Sequence, residues 1–340
     1  MDLNNLFKNK LFYLMNFMIF NSILSLFLSN FIQLWIIMEI NTMLMIILLS
    51  IYSTNKKIPI NYFIIQSVSS LSLITMIMMF NFFYNSILFS LMIMLFFFMK
   101  LNLFPFFFWL PLINLNLNWI LIFFMSTTQK LLPLILMNMF FNQLNNIFFS
   151  YLIFLTSIFS SMTSVIMSIN ENNLIKIFTF SSMNHSAWMI FIISIDLSLF
   201  ILYFLIYSIS MMFICFFFNK IKIFNFNQLY NILFLNKFIF NPILINVLII
   251  SSLPPFLTFL IKIKSINLML MNSNNLIMLM LMILSILTLI FYMNILIKIK
   301  IIQFIKLKFN STYNFQIKNS FFSLLFFIFL TLTIILIIFI

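Results

Sequence analysis

Four charged residues lie inside long apolar stretches of the chain: Glu39, Lys100, Lys130 and Lys262. A charged side chain near the centre of a bilayer costs at least about 2.5–3.5 kcal/mol, so such residues should face the protein interior, paired or hydrated. Burial disfavours the charged form of a lysine, which lets a buried lysine take up and release a proton near neutral pH. These residue types therefore indicate movement of protons or ions.

Two structural interpretations stay open for these charges. They can form ion pairs that only support packing, or long side chains can reach the membrane surface while their stems stay buried. Lys262 is the best candidate for the second case, because the apolar span that contains it ends there.

Prolines lie beside two of the lysines. Lys100 precedes Pro105 by five residues, and Lys262 follows the pair Pro254–Pro255. Proline removes a backbone donor, and the freed carbonyls inside a membrane need water, a cavity or side chains. Broken spans beside ionisable residues are typical of a transport path, although a simple proline kink is the alternative.

The two proline segments resemble each other. Leu103-Phe-Pro-Phe and Leu253-Pro-Pro-Phe match at an offset of 150 residues, near half the chain. They fall in the fourth and the ninth of the eleven membrane spans that we predict below. Because the two span numbers differ by an odd number, the segments would enter the membrane from opposite sides. This pattern predicts inverted-topology repeats, placed approximately at 11–140 and 148–297.

Two further polar stretches lie within apolar sequence. Lys130 ends the run Ser126-Thr-Thr-Gln-Lys130, which suggests a wet interior. His185, the only histidine, lies in Phe180-Ser-Ser-Met-Asn-His-Ser-Ala-Trp188. A lone membrane histidine is either a proton relay or a hydrogen-bonded structural residue.

The elements that must position these residues are membrane helices. The chain of 340 residues is 65% hydrophobic and 6% charged, whereas soluble domains carry about 25% charged residues. Apolar runs near 20 residues, each able to cross about 30 Å of hydrocarbon, recur throughout. We predict an all-α polytopic membrane protein, a single transmembrane domain over 1–340, with eleven spans near 11–29, 31–52, 60–80, 84–112, 118–140, 148–168, 174–194, 198–218, 240–262, 274–297 and 320–339.

Missing residue types exclude several kinds of site. The chain has no glycine, which excludes the phosphate-cradling loops and the dinucleotide fingerprint. Cys215 is the only cysteine and His185 the only histidine, so an iron–sulfur cluster held within this chain and a multi-histidine metal site are excluded. We expect no cofactor in this chain and no role in binding nucleic acid.

Lysine placement sets the predicted orientation. If the N-terminus lies on the positive side, thirteen lysines of the connections share that side and only Lys264 lies on the other, as the positive-inside rule expects. The composition, rich in residues with AT-rich codons, indicates an AT-rich genome such as an insect mitochondrial one. The positive side would then be the matrix. The lysine-rich stretch 298–318 would lie along the membrane surface or form a solvated loop.

In order and spacing, several of these segments resemble one family. They are Trp35-Ile-Ile-Met-Glu39-Ile-Asn-Thr, Lys100-Leu-Asn-Leu-Phe-Pro-Phe-Phe-Phe-Trp-Leu-Pro111, Gln129-Lys-Leu-Leu-Pro133, Asn173-Leu-Ile-Lys-Ile-Phe-Thr-Phe-Ser-Ser-Met-Asn-His185 and Leu253-Pro-Pro-Phe256. Over essentially its whole length the chain resembles the mitochondrially encoded, antiporter-like membrane subunits (subunit 2) of respiratory NADH–ubiquinone oxidoreductase, complex I.

The resemblance implies two inverted five-helix repeats, each with a discontinuous helix, plus a terminal helix at 320–339. It implies that Glu39 is the acidic partner of Lys100, Lys130 the central relay lysine, Lys262 the lysine of the second broken helix, and His185 part of the central polar axis. NADH, FMN, iron–sulfur clusters and ubiquinone would be held by other subunits.

The resemblance also implies partners and a location. The partners would be other membrane-arm subunits of complex I and phospholipids, with cardiolipin as a candidate, in the mitochondrial inner membrane. The chain departs from the family where glycine usually stands in the broken helices, because Asn102 and Ser252 occupy those places. Two other functions stay open: a stand-alone cation/proton antiporter subunit, and a non-catalytic membrane scaffold.

Overall fold

The computed structural model describes residues 3–53, 55–82, 87–144, 147–226, 228–229, 237–254, 256–270 and 275–309. Within these ranges the protein is all-α, as predicted, and its extended structure is limited to an isolated bridge between Asn173 and Asn225. The helices are α1 Leu3–Leu24, a 3-10 turn Ser25–Phe27, α2 Phe31–Tyr52, α3 Lys57–Phe82, α4 Ile87–Leu101, α5 Trp109–Asn114, α6 Trp119–Ser126, α7 Thr128–Leu144, α8 Ile147–Ile169, α9 Leu174–Ile193, α10 Leu197–Ile221, α11 Lys237–Ile250, α12 Leu257–Leu270 and α13 Asn275–Phe309.

Each of the first ten predicted spans coincides with a helix or with two consecutive helices. The eleventh, 320–339, lies outside the described residues. In the described part, six helices are long and apolar enough to cross a membrane, and two shorter apolar helices accompany them. The chain is therefore a polytopic helical membrane protein.

The chain divides into two compact units. The first comprises Met1–Ser164 and Phe178–Ser194, and the second comprises Val165–Ile177 and Ile195–Ile340. In the first unit α3 packs against α2 and α4, and α7 packs against α2, α4 and α6. In the second unit α10 packs against α11 and α12. The repeats at 11–140 and 148–297 stay a prediction.

The predicted span 118–140 consists of two helices rather than one. α6 ends at Ser126 and α7 begins at Thr128, and Thr127 between them has φ −117° and ψ −78°. The hydroxyls of Thr127 and Thr128 donate to the carbonyls of Phe123 and Phe124, at 2.7 and 3.0 Å. Such side-chain bonds to the preceding turn compete with the helical ladder, and two of them lie at the interruption.

The first discontinuous helix breaks after α4. Asn102 adopts a left-handed conformation with φ 59°. The Leu103 amide donates to the Phe98 carbonyl at 2.9 Å and the Asn102 amide to the Met99 carbonyl at 3.4 Å. This is the hydrogen-bond pattern of a Schellman helix end, whose left-handed residue is usually glycine. In a chain without glycine, asparagine is among the side chains that tolerate this conformation best.

Side chains close the break between α4 and α5. The indole Nε1 of Trp109 donates to the Met99 carbonyl at 3.1 Å, and the Asn102 Oδ1 accepts from the Leu110 amide at 3.3 Å. Backbone groups at membrane depth must be satisfied within the protein, and these two bonds do so on either side of the irregular segment.

The second discontinuous helix breaks between α11 and α12. Ser252 is also left-handed, with φ 52°, and its amide donates to the Ile249 carbonyl at 3.1 Å. The same carbonyl accepts from the Thr258 hydroxyl at 2.7 Å. Pro254 lies in this segment, whereas Pro255 lies outside the described residues.

Candidate functional site

Glu39 and Lys100 form an ion pair in the first unit. Lys100 Nζ lies 3.2 Å from Glu39 Oε1, and the side chains are 2% and 21% exposed, respectively. Lys100 stands in the last turn of α4, where the partial negative charge of the helix end favours a cation. The pairing implied by the resemblance is therefore present in the structure.

Lys130 is buried on α7, with 3% of its surface exposed. Its Nζ donates to three oxygens of α9: the carbonyl of Ser182 at 2.7 Å, the hydroxyl of Ser182 at 3.2 Å and the hydroxyl of Ser186 at 3.5 Å. We call these three oxygens the serine seat. They are hydrogen-bond acceptors for the lysine head group inside the protein.

Lys262 belongs to the second unit and lies on α12, 2% exposed. Its Nζ donates to the Ser252 hydroxyl at 2.8 Å, so the side chain turns back toward the break between α11 and α12. This placement argues against the interpretation in which Lys262 extends to the membrane surface.

His185 lies on α9 between the two serines of the seat and is 1% exposed. The neighbouring side chains of α9 are also buried and polar, among them Ser181 and Asn184. A relay role for His185 stays a prediction.

A neutral hydrogen-bond network joins four helices of the first unit. The Tyr62 hydroxyl of α3 donates to Gln129 Oε1 at 3.1 Å, and Gln129 Nε2 donates to the carbonyl of Asn41 at 3.1 Å. Asn21 Nδ2 of α1 donates to Asn41 Oδ1 at 3.0 Å. The network thereby links the residue next to Lys130 with the turn of α2 that follows Glu39.

Sequence reasoning missed the serines and this network. Ser182 and Ser186 are four residues apart and therefore share one helix face, a spacing visible in the polar run around His185. The sequence indicates Ser252 only as a residue in a place where the family usually has glycine. The sequence does not indicate a role for Tyr62, because tyrosine is common in apolar spans.

Each unit contains groups that can bind a proton. The first unit combines an ion pair with a buried lysine that has its own oxygen ligands, and the second unit contains a buried lysine with a serine hydroxyl among its contacts. In the part of the chain that the structure describes, no three His, Cys, Asp or Glu side chains come together as metal ligands would.

Comparison with known proteins places this geometry in a family. Residues 28–288 match the family model described as NADH:quinone oxidoreductase/Mrp antiporter, transmembrane. The chain belongs to this family. It is 30% identical over 264 residues to NADH-ubiquinone oxidoreductase chain 2 of Anopheles gambiae, covering 75% of each chain.

Two solved structures share the fold of this chain. A chain of respiratory complex I from Thermus thermophilus superposes with a TM-score of 0.70 at 13% identity, covering 80% of this chain and 66% of that one. A chain of the Mrp complex from Dietzia sp. gives 0.68 at 13% identity, covering 81% and 57%. At such identities the likeness concerns the fold alone, and this family member is shorter than both.

Proposed function

We propose that this chain is a proton-translocating membrane subunit of an NADH–ubiquinone oxidoreductase, with the redox chemistry in other subunits. The observation that carries the proposal is the Glu39–Lys100 ion pair, 3.2 Å long, on helices of a polytopic membrane protein. The family match and the name of the mosquito relative support it.

Within the first unit, Glu39 stabilises the charged form of Lys100. If Glu39 takes another partner or a proton, Lys100 loses that stabilisation and releases its own proton more readily. A change in this one pair is therefore sufficient to switch a proton-binding group.

Lys130 and Lys262 are the further proton-binding groups of the proposed relay. Each is nearly inaccessible to solvent and has an oxygen contact from the protein, so each can bind a proton away from bulk water. His185, beside the serine seat, is the remaining candidate. Moving one charge against 100 mV costs about 2.3 kcal/mol, so the relay needs energy from redox steps in neighbouring chains.

The proposal includes location, orientation and partners. We place the chain in the mitochondrial inner membrane, with its N-terminus in the matrix, among other membrane-arm subunits of complex I and phospholipids. We also propose that 11–140 and 148–297 are inverted repeats. The left-handed residues Asn102 and Ser252, each at the break of a discontinuous helix, support this division.

The test is the ratio of protons moved per electron in the purified complex reconstituted into vesicles. Lys130→Met should remove the protons carried by this chain, because methionine cannot be protonated. Lys57→Met is the matched control, since Lys57 is exposed at the start of α3. An unchanged ratio in an assembled Lys130→Met complex would contradict the relay.

Two further observations distinguish the proposed function from the scaffold and from the stand-alone antiporter. A scaffold would lose assembly before turnover, so the yield of intact complex on native gels would fall with Lys130→Met while the ratio in the remaining complex stayed normal. A stand-alone antiporter would purify without an NADH-oxidising assembly and would exchange cations for protons in vesicles by itself.

A further inference from the structure

The serine seat of Lys130 offers only acceptors. The Ser182 hydroxyl donates its hydrogen to the Thr179 carbonyl at 2.7 Å, and the Ser186 hydroxyl donates to the Met183 carbonyl at 2.8 Å. A carbonyl oxygen never donates, so the third member of the seat, the Ser182 carbonyl, also only accepts. All three oxygens therefore direct lone pairs at the Lys130 nitrogen.

This arrangement suits one protonation state of the lysine. An ammonium group has three hydrogens and no lone pair, which matches three acceptors. A neutral amine has two hydrogens and a lone pair that needs a donor, and within the seat a donor appears only if a serine hydroxyl breaks its bond to the preceding turn. A buried polar group left without its partner is costly.

Lys262 has a different environment. One of its contacts is the Ser252 hydroxyl at 2.8 Å, and among the described residues this hydroxyl makes no bond to a backbone carbonyl. It can accept from the ammonium form of Lys262 or rotate to donate to the neutral form. This one contact is therefore compatible with both protonation states of the lysine, whereas the serine seat of Lys130 is not.

We propose that Ser182 and Ser186 are positioning residues that hold Lys130 in its charged form, so that its proton leaves only when the lysine leaves the serine seat. Release of the proton from Lys130 then requires a movement of its side chain. This inference rests on the proposed function, because it assigns a gating step to a lysine of the same relay.

Four other titratable groups belong to α2, α3, α4 and α9. Glu39 of α2 and Lys100 of α4 are paired with each other, Tyr62 of α3 donates to Gln129, and His185 stands on α9 between the serines of the seat. Removing the serine hydroxyls leaves all four groups in place.

The experiment measures the pH profile of coupled NADH–ubiquinone turnover in reconstituted complex. The double variant Ser182→Ala, Ser186→Ala takes two acceptors from the ammonium group, and the limb of the profile controlled by Lys130 should move toward lower pH by about one unit. Ser186→Ala alone should move it less, and Ser186→Thr, which restores a hydroxyl, should return it.

Ser181→Ala is the matched control. Ser181 is as buried as Ser182, lies next to it on α9 and donates to the Phe178 carbonyl at 2.8 Å, yet it makes no bond to Lys130. Its profile should coincide with that of the unmodified complex. If the double variant does not assemble, the comparison of Ser186→Ala with Ser186→Thr decides.

Lys130→Met in the same series tests the proposed proton relay independently of the positioning role of the serines. If Lys130→Met leaves the proton-to-electron ratio unchanged, the relay itself fails. A second outcome is that Lys130→Met lowers the ratio while the pH profile of the Ser182→Ala, Ser186→Ala double variant coincides with that of Ser181→Ala. The relay then stands and the serine seat has no positioning role.

Discussion

Asn102 and Ser252 adopt the same left-handed backbone conformation at positions 150 residues apart, with φ of 59° and 52°. Each follows the first half of a discontinuous helix, and the carbonyl three residues earlier, of Met99 or Ile249, accepts from the second half. The side chains differ in use: Asn102 binds the Leu110 amide, and Ser252 binds Lys262. A glycine at either place would provide the conformation without the contact.

Ser252→Gly should therefore distinguish the backbone strain at this position from the contribution of the Ser252 hydroxyl to proton transfer. Glycine removes the left-handed penalty, roughly 1–2 kcal/mol, so the amount of assembled complex should stay equal or rise. Lys262 loses its hydroxyl partner, and coupled turnover should fall about tenfold, the effect of one hydrogen bond to a charged group. Native gels and turnover in vesicles measure the two quantities.

Ser251→Ala serves as the control for this change. Ser251 is buried beside Ser252, but its hydroxyl donates to the Leu248 carbonyl at 2.8 Å. Turnover should remain normal in this variant. A Ser252→Gly complex that turns over at the unmodified rate would show that the Lys262 contact is dispensable.

The fold was largely accessible from the sequence, because hydropathy reports directly on helices that must satisfy every backbone group internally. The same physics made the site lysines conspicuous, since charge in an apolar run is expensive. Hydropathy does not reveal the break at Thr127, because it averages over a window longer than one irregular residue.

The contacts of the site were less accessible. Tyr62 and Gln129 are 67 residues apart, and their bond depends on how α3 packs beside α7. The spacing of Ser182 and Ser186 indicated a shared helix face, but nothing in it indicated Lys130 as the residue opposite. The Glu39–Lys100 pair is implied by the family resemblance. The sequence by itself shows which charged residues lie in apolar spans, but it does not show which of them form pairs.

The Glu39–Lys100 pair should tolerate loss of both charges better than loss of one. Glu39→Gln alone leaves the buried Lys100 charge without its partner, a change that costs about 3–5 kcal/mol in buried pairs. The double variant Glu39→Gln, Lys100→Met removes that unpaired charge. We expect more intact complex from the double variant than from Glu39→Gln, measured as heat-resistant assembly on native gels.

Turnover provides the second half of this test. All three variants should lose coupled proton movement, because none retains the switchable pair. Stability values for the two single variants that add up to the value for the double variant would mean that Glu39 and Lys100 do not interact.

Tyr62→Phe should weaken the link between α3 and α7 without disturbing the core. The ring remains, and with it the packing on Trp109 at 6.2 Å between ring centroids, but Gln129 loses one donor. The expected cost is about 1 kcal/mol of stability with a several-fold loss of coupled turnover. Tyr151→Phe, at an exposed tyrosine of α8, is the control. Equal turnover in the two variants would remove Tyr62 from the functional network.

The predicted orientation can be tested by labelling exposed lysines from one side of the membrane. Lys57 and Lys222 are exposed and belong to the predicted positive side, whereas Lys264 belongs to the other. A membrane-impermeant amine reagent added to inside-out inner-membrane vesicles should label Lys57 and Lys222, as found by mass spectrometry, and should spare Lys264. Lys130 is the internal control, because burial should protect it in both orientations. Labelling of Lys57 only in right-side-out vesicles would place the N-terminus on the opposite side and reverse the assignment of every connection.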